Sequence, residues 1–132
     1  MGNRAILKFQ DEKNLSSIYL HWNGGRASVQ AFLNVAKELG FRNGEYGIAR
    51  LSQVIGNFFG GDLSLGITNH SKSHGDNGIY LIKNFEIIGR KDFDQTEEID
   101  ESKTKLMTEF ILELHKKIDL LREELGNQEK YK

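Results

Sequence analysis

Residues 17–33 read "SIYLHWNGGRASVQAFL". Ile18, Leu20 and Trp22 alternate with the period of a half-buried strand, whereas Val29, Phe32, Leu33, Ala36 and Leu39 recur at the three-and-four spacing of a helix. The change of period falls on Asn23-Gly24-Gly25-Arg26, so a strand feeds a helix through a very short turn. Such a turn needs one glycine for positive φ. A second glycine beside a cation points to a place where backbone N–H groups and a guanidinium meet something anionic. The alternative is a plain glycine-rich helix start, with Arg26 in solvent and Trp22 in the core.

Working outward, "RAILKF" (4–9) and 17–22 read as two strands joined by a polar turn. The first helix is expected over 28–39 and stops at Gly40. A second fits 46–59, where Ile48, Leu51, Val54, Ile55, Phe58 and Phe59 form the apolar stripe. "LSLGIT" (63–68) and "GIYLIK" (78–83) read as a hairpin around the polar loop "NHSKSHGDN", and "FEIIGR" (85–90) extends the sheet. Residues 92–102 are acidic and polar, as in a linker. Met107, Ile111, Leu114, Ile118, Leu121 and Leu125 then follow at intervals of 4, 3, 4, 3 and 4, a heptad seam widened by Leu106 and Phe110. These elements give an α+β fold: a small antiparallel sheet core with two short helices over residues 1–91, the linker over 92–102, and a long C-terminal helix over 103–126. That helix can lie on its own sheet or pair with a second copy; the strict seam and the polar linker favour pairing in a twofold homodimer.

The 132 residues suit one domain, with a formal net charge of -1, 38% hydrophobic and 28% charged residues. A near-neutral chain lacks the cationic surplus that binds long nucleic acid without specificity, although two or three placed cations suffice for a small anion. The sequence has no cysteine, which excludes disulfides and thiolate metal sites and suits a reducing cytoplasm. No apolar run is long enough to span a bilayer, and the N-terminus lacks a signal-peptide core, so no membrane partner is expected. Proline is absent and glycines number 14, so glycine must set the turns.

Three groups of residues carry chemistry. Around the turn, Gly24, Gly25 and Arg26 form an anion site beside Trp22 or Tyr19, flat rings suited to a base. Arg50, Gln53 and Asn57 share a face of the second helix, where the alternative is an ordinary polar surface. Two adjacent phenylalanines, Phe58 and Phe59, cannot both point inward on one helix, which leaves one free to stack. In the third, His70, His74 and Asp76 make a weak metal set, and Asp76-Asn77-Gly78 reads first as a turn, with Asn77 able to meet a ligand edge. His21 and His115 read as surface residues. No nucleophile has a base near it, so catalysis is not advertised.

"IYLHWNGG", "YGIARLSQVIGNFFGGDLSLGI" and "DNGIYLI" resemble a group of small phage proteins, the first type of Thoeris anti-defence protein, over roughly residues 4–90. The resemblance implies a non-enzymatic sponge in the cytoplasm of an infected bacterial host. Such a sponge sequesters cyclic ADP-ribose isomers made by TIR-domain enzymes, and some members are associated with cyclic oligonucleotides. It also implies an antiparallel core with extended C-terminal helices, in homodimers that assemble further, up to a hexamer. No cofactor is implied. An adenine, two riboses and a pyrophosphate ask for cations, an aromatic platform and amides. Arg26 with the Gly24–Gly25 backbone, and Arg50 or Arg90, would then hold phosphate; Tyr80, Phe58 or Trp22 would stack; and Asn23, Asn57 and Asn77 would read hydroxyls. Lys91 and Lys103 lie where they could close a pocket. Two other functions stay open: a protein-binding adaptor acting through the heptad helix, and a hydrolase of the same signals using His21, His70 or His74.

Overall fold

A computed structural model describes residues 2–69 and 76–129. Among them the chain forms β1 (Ala5–Phe9), β2 (Ser17–Leu20), α1 (Arg26–Leu39), α2 (Glu45–Phe59), β3 (Leu65–Thr68), β4 (Ile79–Lys83), β5 (Glu86–Lys91) and α3 (Glu101–Glu129). The strands make one sheet in the order β3-β2-β1-β4-β5. The α+β class is therefore as expected, but two features of the sheet differ.

First, β3 and β4 are not a hairpin. Leu65 pairs with Leu20 of β2, whereas Ile79 pairs with Ile6 of β1. Second, the β1–β4 pair is parallel, so the sheet is mixed and not purely antiparallel. Burial supplies the reason. Ile6, Leu7, Ile79 and Tyr80 are all buried, and strands covered on both faces belong in the middle of a sheet. β3, with Gly66 and a largely exposed Ile67, is suited to an edge.

The helices cover one face. Leu7, Phe9, Ile18, Leu20, Tyr80 and Ile82 point from the sheet into a core filled by Val29, Phe32 and Leu33 of α1, Leu51 and Ile55 of α2, and Ile111 of α3. Phe58 and Phe59 both pack against Phe32, with ring centroids 5.5 and 6.3 Å away. The expectation that one of them stays free is thus corrected. Side chains about 100° apart on α2 both reach the Phe32 ring of α1, and Phe58 also meets Phe110 of α3 edge-on at 6.3 Å.

α3 starts where Asp100 caps it, its carboxylate accepting the Lys103 N–H at 3.0 Å. Its first turns lie on α1 of the same chain: the Ser28 hydroxyl reaches Met107 Sδ at 3.3 Å, and Ile111 is fully buried. The later part of the seam is bare, Leu121 being 66% and Leu125 54% exposed. The heptad is therefore divided, its first half serving the internal core and its second half facing solvent.

His115, one turn beyond Ile111, is buried, and its Nε2 has no partner among the described residues. It is no surface residue. Burial holds its pKa below the ordinary value of 6.5; Arg50 adds to this and Asp119 opposes it. A lowered folded-state pKa means that the unfolded chain takes the proton more readily. The contribution of neutral His115 is full above 6.5 and is lost as pH falls through the lowered folded value. Thermal melts at pH 7.5 and 5 should therefore show an acid-induced fall in Tm that shrinks by ~2 °C or more in His115→Leu; an unchanged fall would mean that His115 is not the group being protonated.

Candidate functional site

One end of the sheet gathers the start of β1, the end of β2, the start of β4, the end of β5 and the start of α1. The turn of residues 21–25 is fastened to the entry of β1 by two backbone bonds with Asn3. The Asn3 N–H donates to His21 O at 2.9 Å, and the Gly24 N–H donates to Asn3 O at 2.8 Å. This brings Gly24 so close to β1 that a Cβ on it would stand 2.5 Å from Asn3 O and 2.8 Å from the Ala5 Cβ. The positive φ of the turn falls on Asn23, at 57°, and not on a glycine. Asn23 Nδ2 in turn donates to the Ser28 hydroxyl at 3.3 Å. Gly25 has φ -70°, which any residue adopts, and a Cβ there would meet nothing nearer than 3.7 Å. The first glycine is thus demanded by packing and the second is not. Gly25 is the N-cap of α1, a helix without a capping side chain or an acid in its first turn.

Tyr80 and Arg90 make the floor of this end. The Tyr80 hydroxyl donates to Gly24 O at 2.7 Å, a buried bond that ties the turn to β4. The Arg90 guanidinium lies 3.9 Å from the Tyr80 ring centroid and 3.8 Å from that of Phe93. Its Nη2 donates to Asn77 O at 2.8 Å and its Nη1 to Glu97 Oε1 at 2.5 Å, while its buried Nε has no partner among the described residues. The same Glu97 oxygen is 3.8 Å from Arg26 Nη1. Two guanidiniums thus converge on one carboxylate. The Arg90 side chain is only 12% exposed, so its charge depends on these partners. Burial, with a smaller push from Glu97, raises the Tyr80 pKa against the pull of Arg90 and Arg26, and the phenol stays a donor.

Beside this cluster a groove of about 510 Å³ runs between α1 and α3. Gln30 and Asn34 line it from α1, Thr104, Lys105 and Thr108 from α3, and Ile99 from the segment before α3. Gln30 Nε2 donates to Asn34 Oδ1 at 2.9 Å. Arg26, Gln30 and Asn34 are four apart, so they form one polar stripe along α1 that starts at the arginine pair. Among the residues that sequence reading missed, Gln30 and Asn34 had a readable signal in that spacing opposite Val29, Phe32, Leu33 and Ala36. Glu97 and Phe93 had none: both sit in a stretch that reads as solvated charge, and only the fold turns them toward Arg90.

The structure brings together seven residues singled out from sequence: Asn23, Gly24, Gly25, Arg26, Asn77, Tyr80 and Arg90. Two of their expected roles change. Tyr80 is fully buried, with Arg90 against its ring, so it offers no stacking face. The Asn77 amide nitrogen is already spent, donating to Arg4 O at 3.1 Å and to Asn3 Oδ1, so it has no donor left for a ligand. Trp22 lies outside the core, 44% exposed and edge-on to His21, because β2 ends at Leu20. Arg50 stands on α2 and donates to Gln53 at 3.1 Å. Asn57 and Phe58 stand on the last turns of α2, and Phe58 belongs to the Phe32 cluster. No hydrogen bond or ion pair among the described residues joins these three to the Arg26–Arg90 cluster. His70 and His74 lie outside the described residues, as does most of the 69–77 loop. Asp76 is bound to Arg4 at 3.0 Å, and that guanidinium holds its carboxyl below the usual range. Among the described residues no group of three metal-ligating side chains occurs, and no helix is long and apolar enough to cross a membrane.

No family model matches the chain, and no curated protein or solved structure matches it.

The unequal demands on the two glycines are open to direct test. Gly24→Ala forces a methyl group into the β1 backbone and should cost about 1–3 kcal/mol in urea unfolding. Gly25→Ala should stay within ~1 kcal/mol of the wild type, since a poorer cap is offset by a less flexible unfolded chain.

Proposed function

We propose that the protein is a phage immune-evasion sponge that binds a cyclic nucleotide signal without cleaving it, in the cytoplasm of an infected bacterial cell. The observation that carries this reading is the convergence of Arg26 and Arg90 on a single anion beside a polar groove. Two guanidiniums that share one carboxylate oxygen suit a pyrophosphate better than that single carboxylate, because each can form its own charge-assisted pair. The groove, at about 510 Å³, falls within the range of small-molecule sites. In this reading Gln30, Asn34, Thr104 and Thr108 meet ribose hydroxyls and base edges, Gly25 leaves the helix start open to phosphate, and Trp22 is the exposed ring at this end that is able to stack. The preferred ligand class is the cyclic ADP-ribose isomers, with cyclic oligonucleotides as a second. The resemblance of the 4–90 stretch to the first type of Thoeris anti-defence protein points the same way.

A sponge must outcompete an effector, which asks for nanomolar affinity, about -12 kcal/mol. An open groove on one chain covers too little of a ligand for that. We assign the rest of the cover to a second copy, held by the bare half of α3, where Leu120, Leu121 and Leu125 form an apolar patch. The same patch favours the rival reading, an adaptor that grips a host protein.

Ligand capture separates the two. Protein mixed with cyclic ADP-ribose isomers from a TIR enzyme, freed of unbound ligand and then heat-denatured, should release intact signal detectable by mass spectrometry. Arg26→Ala should weaken that capture tenfold or more and leave the oligomeric state unchanged. Cleaved product would identify an enzyme instead, and undepleted ligand would leave the adaptor reading.

Pairing through α3 is checked independently by analytical ultracentrifugation. The wild type should sediment as a dimer or a larger assembly, and Leu121→Glu with Leu125→Glu as a monomer of unchanged helical content. A monomeric wild type would remove the dimer from this proposal.

A further inference from the structure

We infer that Glu97 is a built-in occupant of the Arg26–Arg90 anion site, and that a phosphate-bearing ligand must displace it, releasing the segment of residues 92–100. This deepens the ligand-binding reading above and rests on it. Residues 92–100 carry five carboxylates (Asp92, Asp94, Glu97, Glu98 and Asp100) and neither Lys nor Arg. Only Phe93 and Glu97 are drawn in from solvent, and both contact Arg90. No backbone hydrogen bond among the described residues ties 93–99 to the rest of the chain. The strap is therefore held chiefly by one ring and one carboxylate on the Arg90 guanidinium, with Arg26 at the longer distance of 3.8 Å, before Asp100 anchors the start of α3.

The chemistry of the exchange follows from charge. A buried guanidinium without a counterion is costly, so the site carries its own anion when empty. A pyrophosphate brings more negative charge and more acceptor oxygens than one carboxylate, and it can serve Arg26 and Arg90 at once. The Glu97–Arg26 distance of 3.8 Å shows that the carboxylate satisfies the second cation poorly. The buried Nε of Arg90, without a partner among the described residues, is a further donor that Glu97 does not use. Ile99, two residues on, lines the groove, so a ligand lying along Gln30 and Asn34 meets the same strap. Release of Glu97 thus couples phosphate binding to opening of the groove wall. The internal carboxylate also raises the threshold for weak anions, because a ligand with one negative charge gains little by replacing another.

Inorganic pyrophosphate is the probe, titrated into the full chain by calorimetry and followed by limited proteolysis with a glutamate-specific protease, cleavage after Glu98 being read by mass spectrometry. The wild type should bind it, Glu97→Gln at least tenfold more tightly, and cleavage after Glu98 should quicken when the wild type is saturated. In Glu97→Gln that cleavage should be fast before any pyrophosphate is added. Equal or weaker binding by Glu97→Gln, with cleavage in the wild type unchanged by pyrophosphate, would overturn the displacement and leave the phosphate site standing. Absence of pyrophosphate binding in both proteins would overturn the site and the displacement together. Should Glu97→Gln not fold, the cleavage measurement on the wild type decides: quickening supports displacement, and no change at saturation refutes it.

Discussion

Arg90 carries a full charge under nearly complete cover, and much of this molecule's active-looking end is arranged around that fact. Its guanidinium rests against the Tyr80 and Phe93 rings and bonds to Asn77 O and Glu97. Each contact recruits a different part of the chain. Tyr80 belongs to a central strand and holds the Gly24 carbonyl; Asn77 ties the entry of β4 to β1; Glu97 pulls in a strap with no regular structure of its own. Cation–π contacts of a desolvated guanidinium are worth up to about 2 kcal/mol, and its ion pair offsets a desolvation cost that would otherwise forbid the position. Remove the counter-charge and the cluster loses its reason to close.

The mixed sheet makes this convergence possible. Because β4 runs parallel to β1, its first residues, Ile79 and Tyr80, lie beside Ile6 and Leu7, next to the turn that launches α1. Had 63–83 closed as a hairpin, Tyr80 would have been placed against β3 and away from Gly24. The chain instead carries β4 across the sheet from its edge, and Arg90 returns on β5 directly opposite Tyr80. The Tyr80–Gly24 bond, spanning 56 residues, records that choice.

The long helix serves two physical demands along its length. Near its start Met107 and Ile111 complete the core above α1, while Thr104, Gln30 and Asn34 keep the neighbouring surface polar. Past His115 its apolar residues are largely bare, Leu120, Leu121 and Leu125 being exposed. A continuous seven-residue period conceals this division, since the same residue types suit an internal face and an intermolecular one.

Much of the local structure was legible in the residues alone. The helices, all five strands to within two residues, and the cation at the strand-to-helix turn follow from period and residue type, which are properties of neighbours in sequence. Spacing also carried Arg26, Gln30 and Asn34 on one face, although only the arginine drew notice. What the tertiary structure alone decided was which distant pieces meet: β3 with β2 and β4 with β1, Arg90 with Glu97, and the half of α3 that is buried. An acidic stretch reads as solvent-exposed until a buried guanidinium stands opposite it, and a tyrosine reads as a platform until its hydroxyl and its ring face are both occupied. Such outcomes depend on the free energy of pairing and burial between residues far apart in sequence, and no periodicity within a single segment encodes them.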